Sequence, residues 1–129
     1  MSHIKGIGGI FFKSPDPKAL SAWYANTFDL NPSEYGGIEF QWSDSDQSPQ
    51  VRYSIWTPFK ENTPYLNPST KSFMINFIVD DLDALLADLE QKGIKIEPER
   101  DNADYGKFAW LMDPDGNKIE LWQPPEKKL

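Results

Sequence analysis

The segment Asp113-Pro114-Asp115-Gly116-Asn117-Lys118-Ile119-Glu120-Leu121-Trp122 sets one carboxylate, Glu120, inside a run of apolar residues. Strand side chains alternate between two faces, so Glu120 shares a face with Lys118 and Trp122 while Ile119 and Leu121 supply the other. With the apolar face covered by helices, the carboxylate looks into a cleft. There Glu120 is the candidate catalytic residue: a hydrogen-bond acceptor, a counter-ion for a cationic ligand, a residual metal ligand or a general base. The plainer alternative is a solvated carboxylate paired with Lys118 or an arginine.

Aromatic residues form the second informative set. Phe11, Trp42, Tyr53, Trp56, Tyr105, Phe108, Trp110 and Trp122 fall on candidate strands. Any one of them can be core packing, but so many on a small sheet indicate an aromatic-lined cavity. Such a cavity holds planar or cationic molecules by stacking and cation–π contacts. Candidate ligand contacts are Phe11, Trp42, Trp56, Asn76, Tyr105, Trp110 and Trp122, with Gly8 and Gly9 leaving room beside them.

Composition limits the alternatives. The chain has 129 residues, 39% apolar and 14% aromatic, enough for one domain with a real core. It has no cysteine, which removes disulfides, thiolate zinc sites and cysteine nucleophiles. The only histidine, His3, precedes the first candidate strand and reads as a solvated terminal side chain. A formal charge of −7 repels phosphate backbones and anionic lipid, so neither nucleic acid nor membrane is expected as a partner. With no signal segment and no apolar run long enough to span a bilayer, the expected location is cytoplasmic.

The elements that must position these groups come in two similar sets. Ile4 to Phe12 reads as a strand; Asp16 caps a helix over about 17–28 with Pro17 at its first position, and short strands follow around 38–42 and 51–56. The polar run from Ser43 to Gln50 is a turn. The stretch 60–71 reads as a connecting loop, and Phe59, Tyr65 and Leu66 in or beside it are candidates to cover a partner. Ser72 to Asp81 is a second strand, and Asp81 caps a helix with Leu82, Leu85, Leu86 and Leu89 on one stripe, ended by Gly93. A short strand over 94–98 leads through an acidic loop (Glu97, Glu99, Asp101, Asp104), a solvated surface, to the terminal hairpin.

The two halves superimpose in sequence. Asp16 to Ala22 matches Asp81 to Ala87 at an offset of 65, Phe40 to Trp42 matches Phe108 to Trp110 at 68, and Ser54 to Pro58 matches Glu120 to Pro124 at 66. Each half is a βαβββ unit too small to hide its own sheet face, so two must pack together. The reading is one α+β domain: module one over about 4–59, a connector over 60–71 and module two over about 72–125.

This repeat, the Asp-x-x-Ala-Leu helix entry and the Asp-Pro-Asp-Gly-Asn-x-Ile-Glu-Leu hairpin resemble the vicinal oxygen chelate superfamily. That group includes glyoxalase I, extradiol dioxygenases, fosfomycin-resistance enzymes and bleomycin-binding proteins. The resemblance implies a curved, cleft-enclosing mixed sheet with helices outside, commonly in a homodimer. It also implies metal ligands on the first and last strand of each module, which carry over to Gly9, Ser54, Met74 and Glu120. Only Glu120 is an ordinary ligand, and Asn76 lies on the face of Met74. No cofactor is therefore expected, and a divalent metal only through Glu120. The leading expectation is a binder of a small aromatic or cationic molecule. A lyase or dioxygenase-type enzyme built on Glu120 and a non-catalytic interaction module are the alternatives.

Overall fold

The computed structural model describes residues 3–43 and 51–125. In chain order the elements are β1 (Ile4–Ser14), α1 (Pro17–Phe28), β2 (Ile38–Ser43), β3 (Val51–Lys60), β4 (Phe73–Val79), α2 (Leu82–Gln91), β5 (Ile96–Ala103), β6 (Gly106–Met112) and β7 (Lys118–Gln123). All seven strands form one mixed, open sheet in the order β2-β3-β1-β4-β7-β6-β5. Each module pairs its first strand in parallel with its last, β1 with β3 and β4 with β7. The antiparallel β1–β4 ladder then joins the modules within one chain.

Both helices start where the sequence indicates. The Asp16 carboxylate accepts from Ala19 N at 3.1 Å and that of Asp81 from Ala84 N at 3.0 Å, each meeting a first-turn amide that has no partner within its helix. The leucine stripe of α2 packs on one sheet face, where Leu82 and Leu85 join Val79, Ala109, Leu111 and Leu121, with Ile119 beside them. Helix α1 is held more lightly: Ser21 is its one buried residue, and Tyr24 meets Trp56 of β3 at 4.3 Å between ring centroids.

The modules are not equal. Module two is a βαβββ unit, whereas the described part of module one is βαββ. Where a counterpart of β5 would lie, Ser33 to Gly37 form a tight turn, with Gly36 at φ +87°. That backbone conformation suits glycine, and Pro32 just before it has no amide to give a ladder. The segment expected as an acidic loop is instead mostly edge strand: β5 runs to Ala103 and pairs with β6 from Arg100 onward. The pairing is irregular between Ile96 and Arg100, around Pro98, as an edge strand tolerates. Of the turn expected over Ser43 to Gln50, all but Ser43 lies outside the described residues.

The connector is not a loose spacer. Leu66 is fully buried against Met74 and Trp110, and Ser69 Oγ donates to Gly116 O at 2.6 Å. Phe59 stacks on Phe11 at 5.3 Å and meets Tyr65 edge-on at 5.6 Å. Of the residues read as cover for a partner, Leu66 is buried in its own chain and Phe59 packs on Phe11, while Tyr65 stays 41% exposed. Among the described residues, no helix is long and apolar enough to cross a membrane.

A docked connector has a measurable consequence. Leu66→Ala should lower unfolding free energy by about 2–5 kcal/mol, the range for truncating a buried leucine. Chemical denaturation checks this, and a loss below about 0.5 kcal/mol would mean that the connector does not pack.

Candidate functional site

Sheet register assembles the site. Following partners across the sheet, Glu39 of β2 stands beside Ile55 of β3, Ile55 beside Gly9 of β1, and Gly9 beside Asn76 of β4. Asn76 stands beside Glu120 of β7, and Glu120 beside Trp110 of β6. Paired residues project to the same face, so six strands contribute one row. The row lies on the face opposite the α2 core, because Leu121 and Ile119 flank Glu120 and point the other way.

Within this row Glu120 is only 2% exposed and fully engaged. Its Oε1 accepts from the Tyr65 hydroxyl in a short hydrogen bond and from Trp110 Nε1 at 3.1 Å, and its Oε2 accepts from Asn76 Nδ2 at 2.8 Å. Three donors from three segments thus replace the water that a carboxylate loses on burial. The Tyr65 phenol is pushed well above its usual range, first by burial and then by the negative charge of Glu120. Lys118 fixes Tyr65 from outside: its Nζ donates to Tyr65 O at 2.7 Å and lies 5.3 Å from the Tyr65 ring centre and 5.6 Å from that of Trp110. Burial lowers the Lys118 ammonium below the usual lysine range, against the opposing pull of Glu120, Glu99 and Glu97.

The hairpin turn sets the register that aims Glu120. Asp113 Oδ1 accepts from Asp115 N at 2.9 Å and Asn117 N at 2.8 Å, and its Oδ2 accepts from Asn117 Nδ2 at 2.8 Å. These bonds, led by Asn117, hold the Asp113 carboxyl below the usual range. Gly116 at φ +84° completes the turn.

A cavity of about 300 Å³ opens over the row. Gly8, Asn76 and Glu120 lie at its base, and Phe11, Phe59, Tyr65, Tyr105, Phe108 and Trp122 are among its walls. Phe108 stacks on Trp122 at 6.1 Å with only 7° between the rings. Trp122 Nε1 donates to Tyr105 O at 2.8 Å, tying the hairpin to the β5–β6 turn. A second cavity of about 540 Å³ shares Glu39, Ile55, Tyr105 and Trp122 with the first and adds Arg52, Tyr53 and Asp104.

Of the candidates read from sequence, the fold brings together Phe11, Asn76, Tyr105, Trp110, Trp122 and Glu120. Trp42 and Trp56 are not among them. Trp56 packs between Tyr24 of α1 and Phe12, on the helix side of the sheet. Trp42 lies against Gly6 and donates from Nε1 to Ser54 Oγ at 2.9 Å. The ligand-equivalent positions also shift. Ser54 is occupied with Trp42 and with Ile7 O at 2.6 Å, and its neighbour Ile55 takes the place in the row. Met74 is buried beside Leu66, and Asn76 is the β4 residue level with Glu120. Gly9 does occupy the row, next to an irregularity in β1 between Ile7 and Gly9. His3 is tied to the sheet, its Nδ1 3.6 Å from Asp80 Oδ1.

Tyr65, Glu39 and Phe59 were missed as site residues. Nothing in the polar, proline-containing connector signals that Tyr65 reaches Glu120. The one available hint is that Tyr65-Leu66 is an apolar pair in an otherwise polar stretch.

Two repeated α/β units joined into one open sheet, with a row of polar and aromatic groups facing away from the helices, define a two-module cleft protein. The chain belongs to the Glyoxalase/Bleomycin resistance protein/Dioxygenase superfamily, whose family model matches residues 6–121. A lactoylglutathione lyase of Schizosaccharomyces pombe is 30% identical over 83 residues, which are 61% of this chain, and the match spans 28% of that protein's length. The methylmalonyl-CoA epimerase structure from Mycobacterium tuberculosis aligns with a TM-score of 0.64 at 15% identity, covering 97% of this chain and 91% of that one. A superfamily member from Vibrio splendidus aligns at 0.57 and 12% identity, covering 88% and 95%. At such identities the structural likeness concerns the fold alone, and it places the chain among vicinal oxygen chelate folds.

The Tyr65–Glu120 contact sets a pH dependence. The folded state raises the phenol above its ordinary value of 10.0, so the native chain holds that proton more tightly than the unfolded chain. This contribution to stability is complete below about pH 10 and is lost as pH rises toward the folded value. Tyr65→Phe should lower neutral-pH stability by about 1–3 kcal/mol, the cost of removing a donor from a buried acceptor. It should also flatten the alkaline decline, as read by denaturation series at rising pH. An unchanged alkaline profile would show that the Tyr65 hydroxyl does not donate to the acid.

Proposed function

We propose that this protein binds a small planar molecule, aromatic or cationic, in the cleft above Asn76 and Glu120, without a mononuclear metal centre. The observation that carries this reading is the state of Glu120. Both its oxygens are turned to N–H and O–H donors of Tyr65, Trp110 and Asn76. A divalent ion needs two to four lone-pair donors converging on one point, and here the row offers Ile55 and Gly9 where donors would stand. Among the described residues, no group of three or more His, Asp or Glu side chains is placed to hold an ion. The donor set therefore does not fit a metal, and no step is routed through one.

The walls fit a flat ligand. Aromatic rings flank the cavity, and its carboxylates, Glu39 and Glu120, lie on the base row, so a cation finds both π faces and negative charge. A reaction using Glu120 as base or metal ligand would first have to strip Tyr65 from it. That is the competing reading, and the lyase and epimerase named above are what make it worth testing.

Two measurements decide between these readings. Elemental analysis after dialysis against zinc, manganese and nickel should find less than one ion per chain. Tryptophan fluorescence titrated with planar cationic compounds should show saturable quenching, weakened about tenfold by Tyr105→Ala, which removes an exposed wall ring with little effect on the core. Stoichiometric metal that disappears in Glu120→Ala would replace this reading with the enzyme.

A further inference from the structure

One buried polar atom beside the site has no partner. Asn76 is 2% exposed, and its Oδ1 accepts no hydrogen bond from the described residues. A buried acceptor left unpaired costs about 1–3 kcal/mol, and native proteins keep few of them. Its orientation is not free. Nδ2 donates to Glu120 Oε2 at 2.8 Å, and turning the amide over would set oxygen against oxygen at that distance. A carboxylate can only accept, so Glu120 dictates that Asn76 presents its carbonyl away from β7. The Glu120 side chain is in turn held by Trp110 and Tyr65, so the direction of the Asn76 carbonyl is built in from three sides.

That carbonyl points to β1 at Gly8, where the strand has no side chain to meet it. A Cβ on residue 8 would stand 2.3 Å from Oδ1, 2.7 Å from Ile78 Cγ1 and 3.0 Å from Trp122 Cε3. Glycine is therefore what lets the acceptor lie there. Gly8 sits within the β1 irregularity between Ile7 and Gly9, and both Gly8 and Asn76 line the cavity of about 300 Å³. Among the described residues, no lysine, arginine or histidine lines that cavity, whereas Glu39 and Glu120 do.

We infer that Asn76 Oδ1 is the recognition acceptor of the cleft and that its ligand is a planar cationic heteroaromatic amine whose exocyclic N–H it receives. This rests on the planar-ligand reading above and adds to it a required donor and the residue that reads it. Glu120 is a positioning residue here, acting through the amide it orients. Asn76 Oδ1 is buried, so the proposed ligand has to shift Trp122, which stands beside Gly8, to reach it. The recovered hydrogen bond then adds to binding what the free protein lacked.

The test uses two permanently charged probes that differ in one group, 4-amino-1-methylquinolinium and 4-(dimethylamino)-1-methylquinolinium. Both stack and both are cations, and only the first has an N–H to give. Calorimetric titration of the wild-type chain should favour the amino compound by about tenfold or more, the equivalent of one buried hydrogen bond. Asn76→Leu should erase that preference, the two probes then binding with equal affinity. Glu120→Gln, which lets the Asn76 amide face either way, should reduce it. Equal affinities in the wild type would overturn the inference and leave the planar-ligand reading standing. A preference that survives both substitutions would overturn it too, by assigning the donor to another group. Binding of neither probe would overturn the inference together with the reading beneath it. The wild-type comparison stands whether or not either variant folds.

Discussion

The need to satisfy a buried carboxylate organises this protein. Glu120 is enclosed between a sheet strand and a loop, and a carboxylate without water is tolerated only when donors surround it. Those donors come from β4, β6 and the connector, so solvating one side chain draws together three segments distant in sequence. The connector is consequently part of the architecture. Tyr65 meets the acid, Leu66 fills the space beneath, and Ser69 closes on the hairpin turn. Lys118 holds the outer side, its ammonium against two rings and a carbonyl.

Much of the architecture is legible from the chain because local and long-range signals agree. Two aspartates at equivalent places cap two helices, one leucine stripe matches one helix face, and the Asp113 to Asn117 turn sets the hairpin register. Hence the buried face of Glu120 follows from alternation alone. Alternation gives the face of a strand residue but not its level along the strand. The count backward from Asp16 reaches Gly9, which does lie in the row, whereas the count from Asp81 reaches Met74, on the face of Asn76 but two residues from the level of the acid. The placement of Trp56 failed for a related reason: a tryptophan serves equally well against a helix or in a cleft, and only the strand phase decides. Tyr65 left no pattern to read, since its role depends on where a non-periodic segment lands in three dimensions. Strand β5 was hidden by its charge, which an edge strand carries without cost and which also guards against pairing with other chains.

Membership of the superfamily fixes the scaffold and leaves the chemistry open. The row across this sheet holds Glu39, Ile55, Gly9, Asn76, Glu120 and Trp110, and Glu120 within it is already engaged. The proposed binding of a flat, positively charged molecule draws its support from the aromatic walls of the cavity and from that engaged acid.

The antiparallel seam between β1 and β4 divides the row into equal shares. Glu39, Ile55 and Gly9 come from the first unit; Asn76, Glu120 and Trp110 come from the second. Neither half holds a binding floor by itself, so a single unit cut free would regain one only by meeting a twin, and its floor would then be built of two copies of one half. Keeping both halves on one chain removes that symmetry and leaves each free to differ, one carrying a carboxylate, an isoleucine and a glycine and the other a hydrogen-bonded amide, acid and indole.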